Sequence, residues 1–335
     1  MNRKRYIRIV SSLILAGLFF LTTGINVVLA ASNSSANSSN FGADGYRVSP
    51  VTTEITVNKG SSTTINVYLQ NVSSATEHVQ TIFDDFVASN KDNGSPALLL
   101  NGQDAPSHSL KQFVSIKQPD FTLAPGAQQA VTITITIPNS VAGGGYYGAV
   151  RFAPQSISGN KNVNLSASVA SLILIKVPGN YLQKVTISSF GVRQASSSNN
   201  ASLFFSGSNL VANVGFDDLG QVQEQPFGKI LVYQGSKVIG TYDINNTVPA
   251  GNVLPSSIRT FNVNLHSISG FGKYKLIGNF GYGTNGQLLS ATTTIYVIPV
   301  WFLILVIVLI VIIILAIIYT VKSNKSKAQF AKTKK

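Results

Sequence analysis

Two acidic clusters are the residues of this chain best suited to chemistry. Asp84 and Asp85 are adjacent and lie close to Asp92-Asn93-Gly94, and Asp217-Asp218 sit just before Leu219-Gly220. Carboxylates on neighbouring loops can gather the six to eight oxygens that calcium takes. Neither cluster has the alternating D-x-D-x-D-G spacing of a calcium loop, so Asp84, Asp85 and Asp92 are weak calcium candidates. The competing reading is that paired aspartates at a loop start cap backbone amides. The histidines, His78, His108 and His266, are scattered, and none has a second histidine or a carboxylate at metal-ligand spacing. Serines are abundant, but there is no G-x-S-x-G elbow and no Ser-x-x-Lys with its partner motifs. The chain has no cysteine, which removes thiolate nucleophiles and thiolate metal sites. Gly143-Gly144-Gly145 is not followed by Lys-Ser/Thr, so it is no phosphate loop; it reads as a structural turn into a strand. The expectation is a protein without catalysis and without a cofactor.

Aromatic side chains offer contact instead. Tyr146, Tyr147, Phe227 and Tyr233 could stack on a sugar or a partner protein, or simply pack in a core.

These residues must be positioned by strands. Val131 to Ile137 reads VTITITI, and Thr63 to Gln70 alternates Ile65, Val67 and Leu69 with polar neighbours. Phe261, Val263 and Leu265 repeat the pattern, as do Tyr274, Leu276, Phe280 and Tyr282. Period-two alternation marks half-buried antiparallel strands. Turn dipeptides punctuate them at Lys59-Gly60, Asn93-Gly94, Pro125-Gly126, Gln234-Gly235 and Asn285-Gly286. Leu172 to Val177 is apolar apart from Lys176, as expected of a strand covered on both faces. The pattern predicts an all-β protein of two immunoglobulin-like sandwiches, at 42–179 and 180–297, divided at Pro178-Gly179. One short helical turn is expected within Ser109 to Val114.

The ends of the chain describe location. A basic start, an apolar stretch from Ile9 to Phe20 and Val28-Leu29-Ala30 predict a signal peptide over 1–30. A Ser/Asn-rich leader, expected to be disordered, spans 31–41. The uncharged run 299–321 matches a bilayer's hydrocarbon core, and six lysines follow in a tail over 322–335. Lysines on that flank predict a cytoplasmic C-terminus, with everything before Pro299 outside the cell membrane. Four basic residues lie in the signal peptide and six in the tail, which leaves fifteen against twelve acidic residues between them. An ectodomain so nearly balanced has no nucleic-acid footprint. The final strand reaches Val297, so no flexible stalk separates the second sandwich from the span.

Between Tyr46 and Phe152 the order of features resembles the first domain of the WxL-interacting proteins of bacterial surfaces. The segments that carry this are YRVSPVTTEITVNKGSSTTINVYLQN from Tyr46, the loop Asn90 to Gly94, Leu123 to Gly126, Ile137-Pro138 and Gly143 to Gly148. In the second half Gln225-Pro226-Phe227-Gly228 is the main echo. The resemblance implies a membrane-anchored surface protein that binds peptidoglycan, a secreted surface protein, or both, and it carries over no ligand residue. A structural accessory subunit of an exported or membrane complex, with the span as part of the interface, is the alternative expectation.

Overall fold

A computed structural model describes residues 45–100, 102–155, 168–196, 203–205, 209–268 and 270–332. The expected signal peptide and leader lie outside the described residues. In the first sandwich one sheet runs in the order β1 (Tyr46–Ser49), β3 (Ser62–Asn71), β9 (Gln128–Thr136), β7 (Val114–Ile116). The facing sheet runs β2 (Thr52–Thr56), β11 (Val169–Val177), β10 (Gly144–Pro154), β4 (Glu77–Asp84), β8 (Asp120–Leu123). A small hairpin of β5 (Phe86–Ala88) and β6 (Pro96–Leu98) stands apart. Pairing is antiparallel except between β2 and β11. Between β1 and β2 the chain switches sheets.

Alternation explains the packing. Val131, Ile133, Ile135 and Ile137 are buried against Val67, Leu69, Val150, Phe152, Ile173 and Ile175. On the other face Thr132 donates to Asn66 Oδ1 across β9 and β3, at 2.8 Å. Each aliphatic side chain withdrawn from water this way contributes about 1.5–3 kcal/mol before conformational entropy is counted. The short helical turn forms as a single 3-10 turn at Lys111–Phe113.

The second sandwich has a sheet of β12 (Val185–Gln194), β14 (Leu210–Asp218) and β17 (Ser257–Leu265). Opposite lies the order β13 (Phe204–Phe205), β19 (Gln287–Val297), β18 (Gly272–Tyr282), β15 (Phe227–Gln234), β16 (Lys237–Ile244). The hairpin expected around Asn285-Gly286 is that of β18 and β19. Phe216 centres this core, edge-on to Phe280 at 5.1 Å and to Phe261 at 5.9 Å between ring centroids. Strands β12, β15 and β17 to β19 run along one axis, so the sandwich has two ends. One end carries the β18–β19 turn and meets the first sandwich. The other carries Val297 and leads into α1 (Val300–Lys332). The stretch Val300–Thr320 is long and apolar enough to cross a membrane. At 1.5 Å per residue, these 21 residues reach about 30 Å, the thickness of a hydrocarbon core. Only Ile298 and Pro299 separate β19 from the helix.

Residues Asp44–Lys335 form one compact unit, because the two sandwiches are joined at a built junction. Leu174 on the outer face of β11 is buried with Tyr147, Ala149 and Phe86, against Leu254 of the second sandwich. That contact is why β11 reads as apolar on both faces.

Candidate binding groove and the domain junction

The groove lies on the outer face of the larger sheet of the second sandwich. Cross-strand register puts Phe227, Gly281 and Leu288 in one row across β15, β18 and β19. Phe227 is 58 % exposed and Leu288 is 85 % exposed. Between them Gly281 presents only backbone, and a Cβ there would stand 3.2 Å from the Phe227 ring. Two apolar rims over a glycine floor therefore make an open groove of about 450 Å³, lined also by Phe280, Leu289 and the turn at Gly286. The next row holds Lys229, Asn279 and Ser290. Ser290 donates to Asn279 Oδ1 at 3.0 Å, which ties these two polar side chains together at the groove's edge. Lys229 pairs with Asp243 at 3.5 Å on the flank. The groove offers mainly apolar contact, from Phe227 and Leu288.

Beside it runs the junction. Gly145 N–H donates to Gln221 O at 2.7 Å, and Thr260 N–H donates to Asp92 O at 2.6 Å. Glu54 on β2 accepts from Gln223 Nε2 at 2.9 Å, Gln225 Nε2 at 3.1 Å and Asn252 Nδ2 at 3.4 Å. Tyr147 Oη donates to Gln223 Oε1 at 3.0 Å. Burial pushes the Tyr147 phenol well up, and the nearby carboxylates Asp218, Glu54 and Glu224 push the same way. Glu224 is buried and accepts from Gln183 Nε2 at 2.8 Å. Its desolvation raises it above the usual carboxylate range, with the Gln183 bond opposing.

Asp218 is fully buried at the end of β14. Its Oδ1 accepts from Gly220 N–H at 2.8 Å, while Oδ2 has no partner among the described residues. Desolvation pushes its carboxyl up to about 7, against the pull of the Gly220 amide and helped by Glu224 and Asp217. The amide cap is what the sequence suggests for such a pair; the burial is not visible there, because it comes from tertiary packing at the end of β14.

The other sequence candidates separate cleanly. Tyr147 is 4 % exposed and structural, so it cannot be a ligand platform. Tyr146 is half-buried against Phe113 and His108, and its hydroxyl donates to Ala142 O at 3.0 Å. Tyr233 is half-buried and pairs in register with Lys275 near the helix end. Phe227 alone of the four is exposed. Asp84 is held by Arg151 at 2.6 Å, both largely buried. Asp85 accepts from Ala105 N–H at 3.0 Å and Lys111 N–H at 3.3 Å. Asp92, meanwhile, sits at the junction. The three do not converge, and no group of three metal-ligating side chains occurs among the described residues. Asp84 is an ion-pair partner and Asp85 is a loop cap. His108 Nδ1 lies 2.7 Å from Gly145 O, and His78 Nδ1 lies 3.1 Å from Thr122 Oγ1.

No protein-family profile matches the chain, and no curated protein does. Several solved structures are similar to it. The class 5 fimbrial chaperone CfaA has 11 % identity and a TM-score of 0.37 over 75 % of this chain and 99 % of its own. A chain from the chaperone–tip adhesin complex of CFA/I fimbriae has 13 % identity and a TM-score of 0.38, covering 74 % and 98 %. The E. coli chaperone DraB has 13 % identity and a TM-score of 0.33, covering 76 % and 97 %. At these identities the likeness reaches no further than the fold.

Proposed function

We propose that this chain is a non-catalytic, membrane-anchored binding protein that takes an apolar side chain of another protein into the Phe227–Gly281–Leu288 groove. In this reading α1 crosses the membrane, both sandwiches stand outside, and the lysines from Lys322 onward lie in the cytoplasm, in accord with the positive-inside rule. The observation that carries the reading is the pairing of two strongly exposed apolar side chains across a glycine. Contiguous apolar surface of this kind marks interaction sites on otherwise polar proteins. The apolar rims of Phe227 and Leu288 favour a protein side chain over a glycan, since a sugar needs several donors and acceptors around its stacking platform. The resemblance of residues 46–152 to WxL-interacting proteins supports a partner on the same bacterial surface.

The test is a photo-crosslinking amino acid placed at Leu288 in the full chain, in its own cells, with a second placed at Val51 on the first sandwich. A discrete protein adduct from position 288 and none from 51 is expected. Equal adducts from both positions, or retention of the Leu288→Asp chain on purified peptidoglycan together with no adduct, would overturn the protein-binding reading.

A further inference from the structure

The helix end of the second sandwich carries a second surface, of different chemistry. Register places Phe204, Tyr296 and Lys273 in one outer-face row across β13, β19 and β18. Phe204 stacks on Tyr296 at 5.4 Å and 21°, and Lys273 Nζ lies 6.0 Å from the Tyr296 ring. Phe204 is 64 % exposed and Phe271, on the loop before β18, is 54 % exposed. Phe271 in turn contacts Phe302 of α1 at 4.9 Å, next to Trp301. Aromatic side chains thus stand both on this end of the sandwich and on the first turn of the helix.

The carboxylates divide along the same axis. All four acidic residues of the second sandwich, Asp217, Asp218, Glu224 and Asp243, stand toward the domain junction. At the helix end the register holds Arg193, Lys237, Lys273 and Lys275 and no carboxylate. Aromatic rings and lysines next to a span are the side chains that settle at a membrane–water interface, and basic groups there are drawn to anionic headgroups.

We propose that this end is a membrane-docking collar: Phe204, Phe271 and Tyr296 rest in the headgroup layer while Lys237, Lys273 and Lys275 meet anionic lipid. The headgroup layer is about 5–8 Å deep on each side of the core, and a strand climbs about 3.3 Å per residue. Only Ile298 and Pro299 lie between β19 and α1, and Phe271, just before β18, touches Phe302 of α1, so the Phe204–Tyr296–Lys273 row is the one beside the helix and the Lys275 row stands about 7 Å further out. Docking fixes the sandwich's tilt and holds the junction-end groove at a set height. The proposal rests on the reading of Val300–Thr320 as a span.

The absence of native cysteine permits a direct test on the full chain in vesicles of phosphatidylcholine and phosphatidylglycerol. Single cysteines carrying a nitroxide go at Ser236 and His266, exposed turn residues at the helix end, at Val248 and Leu288 toward the junction end, and at Ile310 within α1. A water-soluble nickel chelate should reach 236 and 266 several-fold less than 248 and 288, and Ile310 least of all. Adding Phe204→Ser and Phe271→Ser should return 236 and 266 to the accessibility of 248. If 236 and 266 are as accessible as 248 while 310 is protected, the span stands and the collar is wrong. Equal protection in pure phosphatidylcholine would overturn the role of lipid charge. Full accessibility at 310 would overturn both the span and the collar.

Discussion

Tyr147 of the first sandwich donates its phenolic hydrogen to Gln223 of the second, 3.0 Å away, with both side chains buried at the junction. Gln223 passes the connection on by donating from Nε2 to Glu54. Tyr147→Phe keeps the ring against Phe86, Ala149 and Leu174 but leaves Gln223 Oε1 without its donor. A buried acceptor stranded in this way costs about 1–3 kcal/mol. Calorimetry should show a lower Tm, by a few degrees for a protein of this size. An unchanged Tm would mean that the junction is held by backbone and apolar contact alone.

The junction should also make stability depend on pH. Asp218 titrates near 7 in the folded state because it is desolvated, against about 3.9 when unfolded. The folded state therefore holds the proton more tightly. The resulting stability is complete below about pH 4, falls as pH rises toward 7, and is gone above. Glu224 is raised by the same cause and adds to the slope. Thermal unfolding should show the wild type losing stability between pH 5 and pH 8. Asp218→Asn, which keeps an oxygen for the Gly220 amide, should flatten most of that loss. A wild type equally stable at both values would exclude a proton on Asp218.

Arg151 and Asp84 make the buried ion pair of the first sandwich. Arg151→Ala strands a buried carboxylate, a change that typically costs 3–5 kcal/mol. The same engagement leaves Asp84 unavailable to a cation, so calcium and chelator should each leave the wild-type Tm unmoved. A calcium-dependent rise in Tm would show that the carboxylate exchanges partners.

How far these features could be read from sequence depends on what makes them. The strands were legible because Val131, Ile133, Ile135 and Ile137 alternate with threonines, and burial on one face leaves that trace in a single segment. Turns such as Asn285-Gly286 were legible because few residues adopt their backbone angles. The exposure of Phe227 was not legible, since an aromatic in a strand reads the same on either face. Its groove depends on Gly281 and Leu288, which lie 54 and 61 positions away and meet it only through register. The burial of Tyr147 was not legible for the same reason: the ring packs against Phe86 and Leu174 beside Leu254 of the other domain, and its hydroxyl meets Gln223 there. The Gly143-Gly144-Gly145 run reads as a turn into a strand. It is also a seam where two backbones touch.

That seam can be tested at Gly143. A Cβ there would stand 2.8 Å from Gly179 Cα, in the linker between the sandwiches. At Gly144, with φ +142°, a Cβ would stand 2.9 Å from Gln221 O. Backbone cannot yield as a side-chain tip can, so Gly143→Ala should push the linker away and weaken the Gly145–Gln221 bond. The expected loss is about 1–3 kcal/mol, with faster hydrogen exchange at the Gly145 amide. Exchange as slow as in the wild type would show that the linker shifts without opening the junction.

Leu288→Asp separates binding from folding. Leu288 is 85 % exposed, so its replacement removes little buried area and should move stability by no more than about 0.5 kcal/mol. The same change puts a carboxylate on the rim of an apolar groove, where a bound apolar side chain would strand it without water. Desolvating an unpaired charge in this way costs far more than the lost methyl contacts. Binding of the crosslinked partner should therefore fall by at least tenfold, about 1.4 kcal/mol, while Tm stays within a degree or two of wild type. Phe227→Ala should weaken binding less, because the rim it removes is replaced by water without a buried charge. If Leu288→Asp binds as the wild type does, the partner sits elsewhere on the surface, and the groove is only the space left where Gly281 lets the Phe227 ring lie across β18.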